Sequence, residues 1–205
     1  MSVQSPSPTD DKAAVQAHLK TIYHTYRHTP SIPDKGEFFS RGCMQVCRPN
    51  PPYAAVNRET IVQYLLEASG YTDLEDWETK NQGGDAAAST KVEDGADVFK
   101  SSGAVKGYYT IRPLSLEEEN EVLALEVVEP LGLSPVELGE LHMREGWVGM
   151  RVDLWDDDGH GKGRLIKVKY WWRYEEGTGW VQCLHDIMSI GERDGSEGSG
   201  GEVRE

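Results

Sequence analysis

The stretch Trp147–Ile190, WVGMRVDLWDDDGHGKGRLIKVKYWWRYEEGTGWVQCLHDIMSI, contains three runs that are typical of β-strands. The runs VGMRVDLW, RLIKVKYWWRY and WVQCLHDIMSI are rich in Val, Ile, Tyr and Trp, and side chains of opposite character alternate along them. Segments rich in Asp and Gly separate the runs at the points where turns are needed. The stretch therefore predicts three consecutive antiparallel strands.

The alternation also predicts which face of this sheet is buried, because successive side chains of a strand lie on opposite faces. The apolar face is predicted to carry Val148, Met150, Val152, Leu154, Ile166, Val168, Tyr170, Trp172, Val181, Cys183, His185 and Ile187. The opposite face is predicted to carry Arg151, Asp153, Lys167, Lys169, Arg173, Trp180, Gln182 and Asp186. His185 is the only residue on the predicted apolar face that titrates near neutral pH, so it is the first candidate for a functional residue.

Length and composition indicate an ordinary globular protein. A chain of 205 residues suits one domain with a sizeable core, and no run of 18 apolar residues is present. The first residues, MSVQSPSPTDD, lack the basic start and the apolar segment of a secretory signal. Three cysteines, an odd number, argue against a disulfide framework. We therefore expect a cytoplasmic protein.

The net charge of −14 is concentrated in a few segments. Residues 73–97, 116–129 and 192–205 together carry a net charge of −15, so the rest of the chain is close to neutral. Acidic peripheral segments favour solubility and oppose binding to nucleic acid. The charge pattern therefore excludes a nucleic-acid-binding protein as the expected class.

Cap and stripe patterns predict three helices. The first begins at Ser7-Pro8. Its apolar stripe consists of Val15, Leu19, Ile22, Tyr23 and Tyr26. Asn57 caps the second helix, and Ser134 begins the third. Residues 115–129 stay open between helix and strand, because a capping-box pattern is followed by an apolar run that suits either.

Two pairs of residues have a spacing at which metal ligands occur. His24 and His28 lie in the first helix, and Cys43 and Cys47 lie in a predicted strand. Neither pair is accompanied by the further ligands that a zinc site needs. We interpret the histidines as part of a solvated helix face and the cysteines as small buried hydrophobic residues. No metal is expected.

The composition predicts one domain with two flanking segments. Residues 1–7 are rich in Ser and Pro and are predicted to be disordered, and residues 8–190 are predicted to form a single domain. An acidic insertion without periodicity, at about residues 72–103, is predicted to be a long mobile loop. Residues 191–205 are predicted to be a disordered acidic tail with nothing to pack against.

The order of the predicted elements resembles the NTF2-like superfamily (nuclear transport factor 2). Within it, the chain is most similar to the SnoaL-like branch of polyketide cyclases, isomerases and dehydratases. The resemblance rests on residues 13–27, 42–66 and 147–190, the last of which contain KYWWRYEEGTGWVQCLHD. It implies an α+β fold in which a strongly bent antiparallel sheet wraps around helices and forms a cone with an internal pocket. The acidic insertion and the helix at 134–145 depart from the pattern, so they leave the substrate open.

The resemblance also implies a function. Such enzymes work without a cofactor, so the chain is expected to be a cyclase, isomerase or dehydratase that acts on a polyketide- or terpenoid-like small molecule. His185 is the candidate acid or base, and Tyr26 is the candidate donor to a developing oxyanion. The apolar wall around a substrate is expected to include Tyr109, Met150, Tyr170, Trp172 and Cys183. A homodimer is expected to form through the outer, charged face of the sheet.

A second reading keeps the fold but contains no chemistry. The protein would then bind a small apolar ligand or pair through its sheet, and His185 would be a buried histidine with a backbone or tyrosine partner. Core packing explains most aromatic residues on strands equally well. The two readings differ in whether His185 has a second polar group nearby and access to a cavity.

Overall fold

A computed structural model describes residues 6–7, 10–82, 106–157 and 163–205. The described helices are α1 (Lys12–His28), α2 (Ile32–Lys35), α3 (Arg58–Ala68), α4 (Leu74–Gln82), α5 (Leu116–Glu119), α6 (Leu125–Val128) and α7 (Pro135–Glu145). Short 3-10 helices span Gly36–Phe38, Pro51–Tyr53 and Glu129–Leu131. The described strands are β1 (Phe39–Cys47), β2 (Lys106–Pro113), β3 (Val148–Asp157), β4 (Arg164–Glu175) and β5 (Gly179–Glu192).

The strands form one open sheet in the order β1-β5-β4-β3-β2. The three strands predicted from the Trp147–Ile190 stretch are present, and their pairing is antiparallel as predicted. Strand β2 adds to β3 in the antiparallel sense, whereas β1 pairs with β5 in parallel. The predicted α+β fold is confirmed, with the difference that the sheet is mixed. Apolar side chains pack on both faces of this sheet and form two separate layers.

The inner face of the sheet packs against α1 and α3. The apolar stripe of α1 lies here as predicted, with Val15, Leu19, Tyr23 and Tyr26 buried. Ile61 of α3 is buried in the same cluster, and the side chain of the predicted cap, Asn57, accepts a hydrogen bond from the Thr60 backbone N–H. The strand residues of this cluster are Phe39, Cys43, Tyr109, Ile111, Met150, Val152, Leu154, Val168, Tyr170, Trp172 and Trp180. Burial of an aliphatic side chain or a phenylalanine contributes about 1.5–3 kcal/mol, so this layer holds α1 on the sheet.

A β-bulge in β5 corrects the predicted faces of that strand. Trp171 pairs with Leu184 and Trp172 pairs with Gln182, so β5 has one extra residue, Cys183, at this point. Side chains alternate with a period of two along a strand. One extra residue therefore moves the side chains that precede it in β5 to the face opposite the predicted one. Gln182, predicted outside, therefore shares the inner face with Trp172. Cys183, predicted inside, packs on the outer face.

The outer face is covered by residues 114–147 of the same chain. These residues supply Leu114, Val127, Val128, Leu131, Leu138 and Trp147, and the sheet supplies Met44, Val46, Trp171, Cys183 and Leu184. The open question about residues 115–129 is thereby answered. They form α5, whose capping box joins Ser115 and Glu118, and α6, and α6 contributes to this layer.

Hydrogen bonds and ion pairs also connect residues 114–147 to the outer face of the sheet. The Lys169 ammonium, which is 2% exposed, donates to the Glu118 carbonyl oxygen at 2.8 Å and to the Glu121 carboxylate. Arg173 donates to Glu145 at 2.8 Å. The charged outer face was predicted to pair with a second copy of the chain. In the structure, Lys169 and Arg173 are instead paired with residues 118–145 of the same chain, and Lys167 is paired with Asp194.

Parts of the predicted mobile insertion and of the predicted disordered tail are ordered. Residues 74–82 of the predicted mobile insertion form α4, and residues 83–105 lie outside the described ranges. The tail was predicted to have nothing to pack against, but the Arg204 and Tyr109 backbones exchange hydrogen bonds of 2.8 and 2.9 Å. This pairing is possible because β2 is an edge strand whose polar groups are otherwise open. Within the described ranges, no helix is both long and apolar enough to cross a membrane.

Candidate functional site

A cavity of about 840 Å³ lies between α3, the residues that follow β1, and the inner face of the sheet. The first side of its wall is formed by Gln45, Cys47, Asn50, Tyr53, Ile61, Tyr64, Leu65, Glu67 and Ala68. The remaining wall residues are Tyr26, Leu154, Gly163, Arg164, Ile166, Val168, Tyr170, His185, Ile187, Ile190, Gly191 and Glu192. A cavity of this size accommodates a drug-sized small molecule.

The structure brings three of the seven predicted site residues to this wall. They are His185, Tyr26 and Tyr170. Tyr109, Met150 and Trp172 are buried in the inner core and are not wall residues, so the prediction of their role in a substrate wall is corrected. Cys183 is corrected as well, because the bulge puts it on the outer face, where its thiol lies 3.3 Å from the Trp171 carbonyl oxygen.

The surroundings of His185 are almost entirely apolar. Its ring makes edge contacts with Phe39 and Tyr170, at centroid distances of 5.0 and 4.9 Å. Its Nε2 lies 3.8 Å from the Cys43 thiol, which is a weak contact. Burial lowers the pKa of His185 to about 3, so the imidazole is neutral at physiological pH. A neutral imidazole offers one hydrogen-bond donor and one acceptor, the latter being the basic site.

Tyr26 reaches the same cavity from α1. Its ring lies 5.6 Å from that of Phe39, so Phe39 contacts both Tyr26 and His185. Burial raises the pKa of Tyr26 far above its usual range, and the nearby Tyr170 hydroxyl acts in the same direction. The phenol therefore keeps its proton and can donate a hydrogen bond to a bound oxygen atom.

Gln45 is a wall residue that was not predicted. It is opposite His185 in the parallel pairing of β1 and β5, and its amide Nε2 donates to the Tyr53 carbonyl oxygen at 3.0 Å. This bond sets the orientation of the amide, which leaves the carbonyl oxygen and one N–H for other partners. A signal was present in the sequence, because Cys43 and Cys47 were both predicted to be buried and Gln45 shares their face.

The charged groups of the wall are at its exposed margin. Glu67, Arg164 and Glu192 are exposed, and the other wall residues carry no formal charge with His185 neutral. Moving an ionised group into such an uncharged interior is costly unless a counter-charge is present. The cavity is therefore suited to a neutral ligand with an apolar body and oxygen substituents.

The histidine pair of α1 lies away from this cavity. His24 and His28 are exposed, with ring centroids 4.1 Å apart, and the His24 Nδ1 is 2.6 Å from the Tyr109 hydroxyl. Within the described ranges, no group of three or more His, Cys, Asp and Glu side chains is arranged to hold a metal ion. The interpretation of His24 and His28 as a solvated face agrees with their exposure.

The chain matches a known protein family. The model of a family described as "SnoaL-like domain" matches residues 8–205, which include the whole sheet and every residue of the cavity wall. A search of curated proteins found no match.

Proposed function

This chain belongs to the SnoaL-like family of the NTF2-like superfamily, and we propose that it is a cofactor-free cyclase, isomerase or dehydratase. The substrate is a neutral polyketide- or terpenoid-like molecule with a carbonyl group. One observation carries the proposal. His185 and Tyr26 both lie on the wall of a cavity whose charged residues are confined to its exposed margin, and Phe39 contacts both rings.

The step shared by these reactions is enolisation of a ketone. The His185 nitrogen that carries no proton takes a proton from the carbon next to the carbonyl, and the electrons of the broken C–H bond form the C=C bond of the enolate. The negative charge then moves to oxygen, where the Tyr26 hydroxyl donates a hydrogen bond. Return of the proton to another position of the same molecule completes an isomerisation.

Because the pKa of His185 is low, the mechanism requires an interaction that stabilises the imidazolium. Burial disfavours the imidazolium, so proton transfer must be compensated by the enolate formed beside it. Opposite charges in a water-poor cavity attract more strongly than in water, and this attraction is present only after proton transfer has begun. The base therefore acts on a bound substrate and remains neutral without one.

The proposal is tested with 1-tetralone, a neutral aromatic ketone of suitable size. Incubation in deuterium oxide should replace the hydrogens next to its carbonyl by deuterium, as measured by mass spectrometry. We expect exchange above the buffer rate, and we expect binding to perturb the NMR signals of residues of the cavity wall. Binding without exchange contradicts the enzymatic function and favours the second candidate.

That second candidate is a protein that binds a small ligand without chemistry. It is favoured by the apolar contacts of His185 and by its lowered pKa, which make it a weak base before substrate is bound. In this case 1-tetralone stabilises the protein against heat, because a ligand that binds only the folded state raises the melting temperature. The exchange rate then stays at the buffer value.

The expected homodimer and the cytoplasmic location remain predictions. Residues 114–147 of the same chain pack on the outer sheet face, so we expect a second copy to bind at another surface. Light scattering at micromolar concentration gives the mass, and a monomer mass contradicts the prediction.

A further inference from the structure

An amide and an indole N–H are buried side by side on the inner face of the sheet. Gln182 and Trp172 are both 0% exposed, and they lie directly opposite each other on β5 and β4. Among the described residues, the Gln182 amide oxygen, the Gln182 amide nitrogen and the Trp172 Nε1 have no hydrogen-bond partner within the protein. Three polar atoms of two neighbouring side chains therefore lack a protein partner there.

Such an arrangement needs a bound partner. Burial of an amide or an indole N–H without a hydrogen bond is destabilising, and buried polar groups in folded proteins are nearly always bonded to protein or to an ordered oxygen. An apolar pair of similar size would pack at this position without that penalty. The two side chains are thus suited to hold a small polar group between the sheet and the inner core.

The chemistry of the two side chains defines the group. The indole N–H only donates, whereas the amide both donates and accepts. A hydroxyl oxygen accepts from the two N–H groups and donates to the amide oxygen. A carboxylate has no proton to donate, and an ammonium group cannot accept, and either would bring a charge into an apolar region.

The position links this pair to the cavity. Tyr170 and His185, which are also paired across β4 and β5, form part of the cavity wall. Trp172 follows Tyr170 by two residues on the same face, and their ring centroids are 5.8 Å apart. Gln182 and Trp172 therefore lie directly beyond the wall, farther along the same strands.

We propose that Gln182 and Trp172 form a binding site for a hydroxyl oxygen beyond the inner wall of the cavity. The oxygen belongs to a resident water molecule or to an alcohol or phenol that extends past Tyr170. Neither source requires a chemical reaction, so the site stands independently of the proposed enzymatic function.

Crystal structures of the unliganded protein and of crystals soaked in phenol test the site directly. We expect an oxygen atom at about 2.7–3.2 Å from the Trp172 Nε1 and from the Gln182 amide. An oxygen that remains unchanged in the soaked crystal identifies water, and replacement by the phenol hydroxyl identifies a ligand subsite. If no oxygen is bound there in either structure, the proposal is wrong.

The melting temperatures of variants provide a second test, because the presence and the absence of a bound oxygen predict shifts of opposite sign. Gln182→Met keeps the shape of the side chain, and removal of one partner of a bound oxygen should lower the melting temperature by about 2–10 °C. If the amide has no partner at all, the same variant raises the melting temperature, which overturns the proposal. Gln45→Met is the matched control, because its amide has a known partner, the Tyr53 carbonyl oxygen, and must show a decrease.

A double variant tests whether the two side chains share one oxygen. Trp172→Phe removes the indole N–H and keeps an aromatic ring. If both side chains hold the same oxygen, Gln182→Met and Trp172→Phe together lower the melting temperature by less than the sum of the single decreases. Strictly additive shifts contradict a shared site.

Discussion

His185 and Asp186 are consecutive residues of β5, and they lie on opposite faces of the sheet. His185 lines the cavity, whereas the Asp186 carboxylate accepts hydrogen bonds of 2.8 and 2.6 Å from Arg48 on the other face. Asp186 therefore cannot serve as the charged partner of His185. The neutral state of His185 follows from its burial, and each residue offers a separate experimental test.

The variant His185→Ala tests the base. We expect the exchange of deuterium into bound 1-tetralone to fall by roughly two to four orders of magnitude, the usual effect of removing a general acid or base. Asp186→Asn is the matched control. It lowers stability, because Arg48 loses a charged partner, but the exchange rate per folded molecule stays unchanged. Circular dichroism reports the folded fraction, and an active, folded His185→Ala protein contradicts the catalytic role.

The variant Tyr26→Phe tests the hydrogen-bond donor. It removes one hydroxyl and little volume, so we expect a loss of about 1–3 kcal/mol of transition-state stabilisation, or roughly 5- to 150-fold in exchange rate. Tyr23→Phe is the matched control, because Tyr23 lies in the same helix but is not a wall residue. Equal rates for the two variants would show that the Tyr26 hydroxyl has no role in exchange.

The pH dependence of stability tests the state of His185. In the folded protein its pKa is about 3, whereas in the unfolded chain it is about 6.5. As the pH falls from 6.5 towards 3, the unfolded chain takes up a proton that the folded protein does not. His185 therefore lowers the free energy of unfolding by up to about 1.4 kcal/mol for each pH unit below 6.5. Above pH 6.5 the imidazole is neutral in both states, and its full contribution to stability is present.

Urea unfolding of the wild type and of His185→Gln at pH 7, 6, 5 and 4 measures this contribution. Other groups titrate equally in both proteins, so the difference between the two curves isolates His185. We expect the wild type to lose stability more steeply below pH 6.5. Curves that remain parallel over this range would show that the histidine takes up its proton equally in the folded state.

The variant Gly149→Ala tests the packing of residues 114–147 on the outer face of the sheet. A Cβ atom at this position would lie 2.3 Å from Leu114 Cδ1 and 2.7 Å from Trp171 Cζ3, so Gly149→Ala forces Leu114 out of its place. We expect a loss of about 1–3 kcal/mol in the free energy of unfolding, measured with urea. Gly139→Ala in α7 is the control, because its Cβ meets nothing within 4 Å and alanine favours a helix by about 0.5–1 kcal/mol. A neutral Gly149→Ala would show that residues 114–147 are not firmly packed.

The elements that the sequence predicted correctly are those with local signals. Alternation identified β3, β4 and β5, the apolar stripe identified α1, and caps identified α3 and α7. These patterns depend on the geometry of one element at a time, so they can be read without knowledge of its neighbours. For residues 115–129 the local signals conflicted, and packing on the outer face decided in favour of short helices.

The sequence by itself determined that His185 and Tyr26 would be buried on the apolar sides of a strand and a helix. Only the tertiary structure decided that both line one cavity, that Gln45 lies opposite His185, and that Cys183 faces the other way. The physical reason is that a bulge arises from the pairing of two strands, and a cavity arises from the packing of several elements. In the same way, the charges of the outer face were visible in the sequence, but their partners, up to 138 residues away in the chain, were set by the fold.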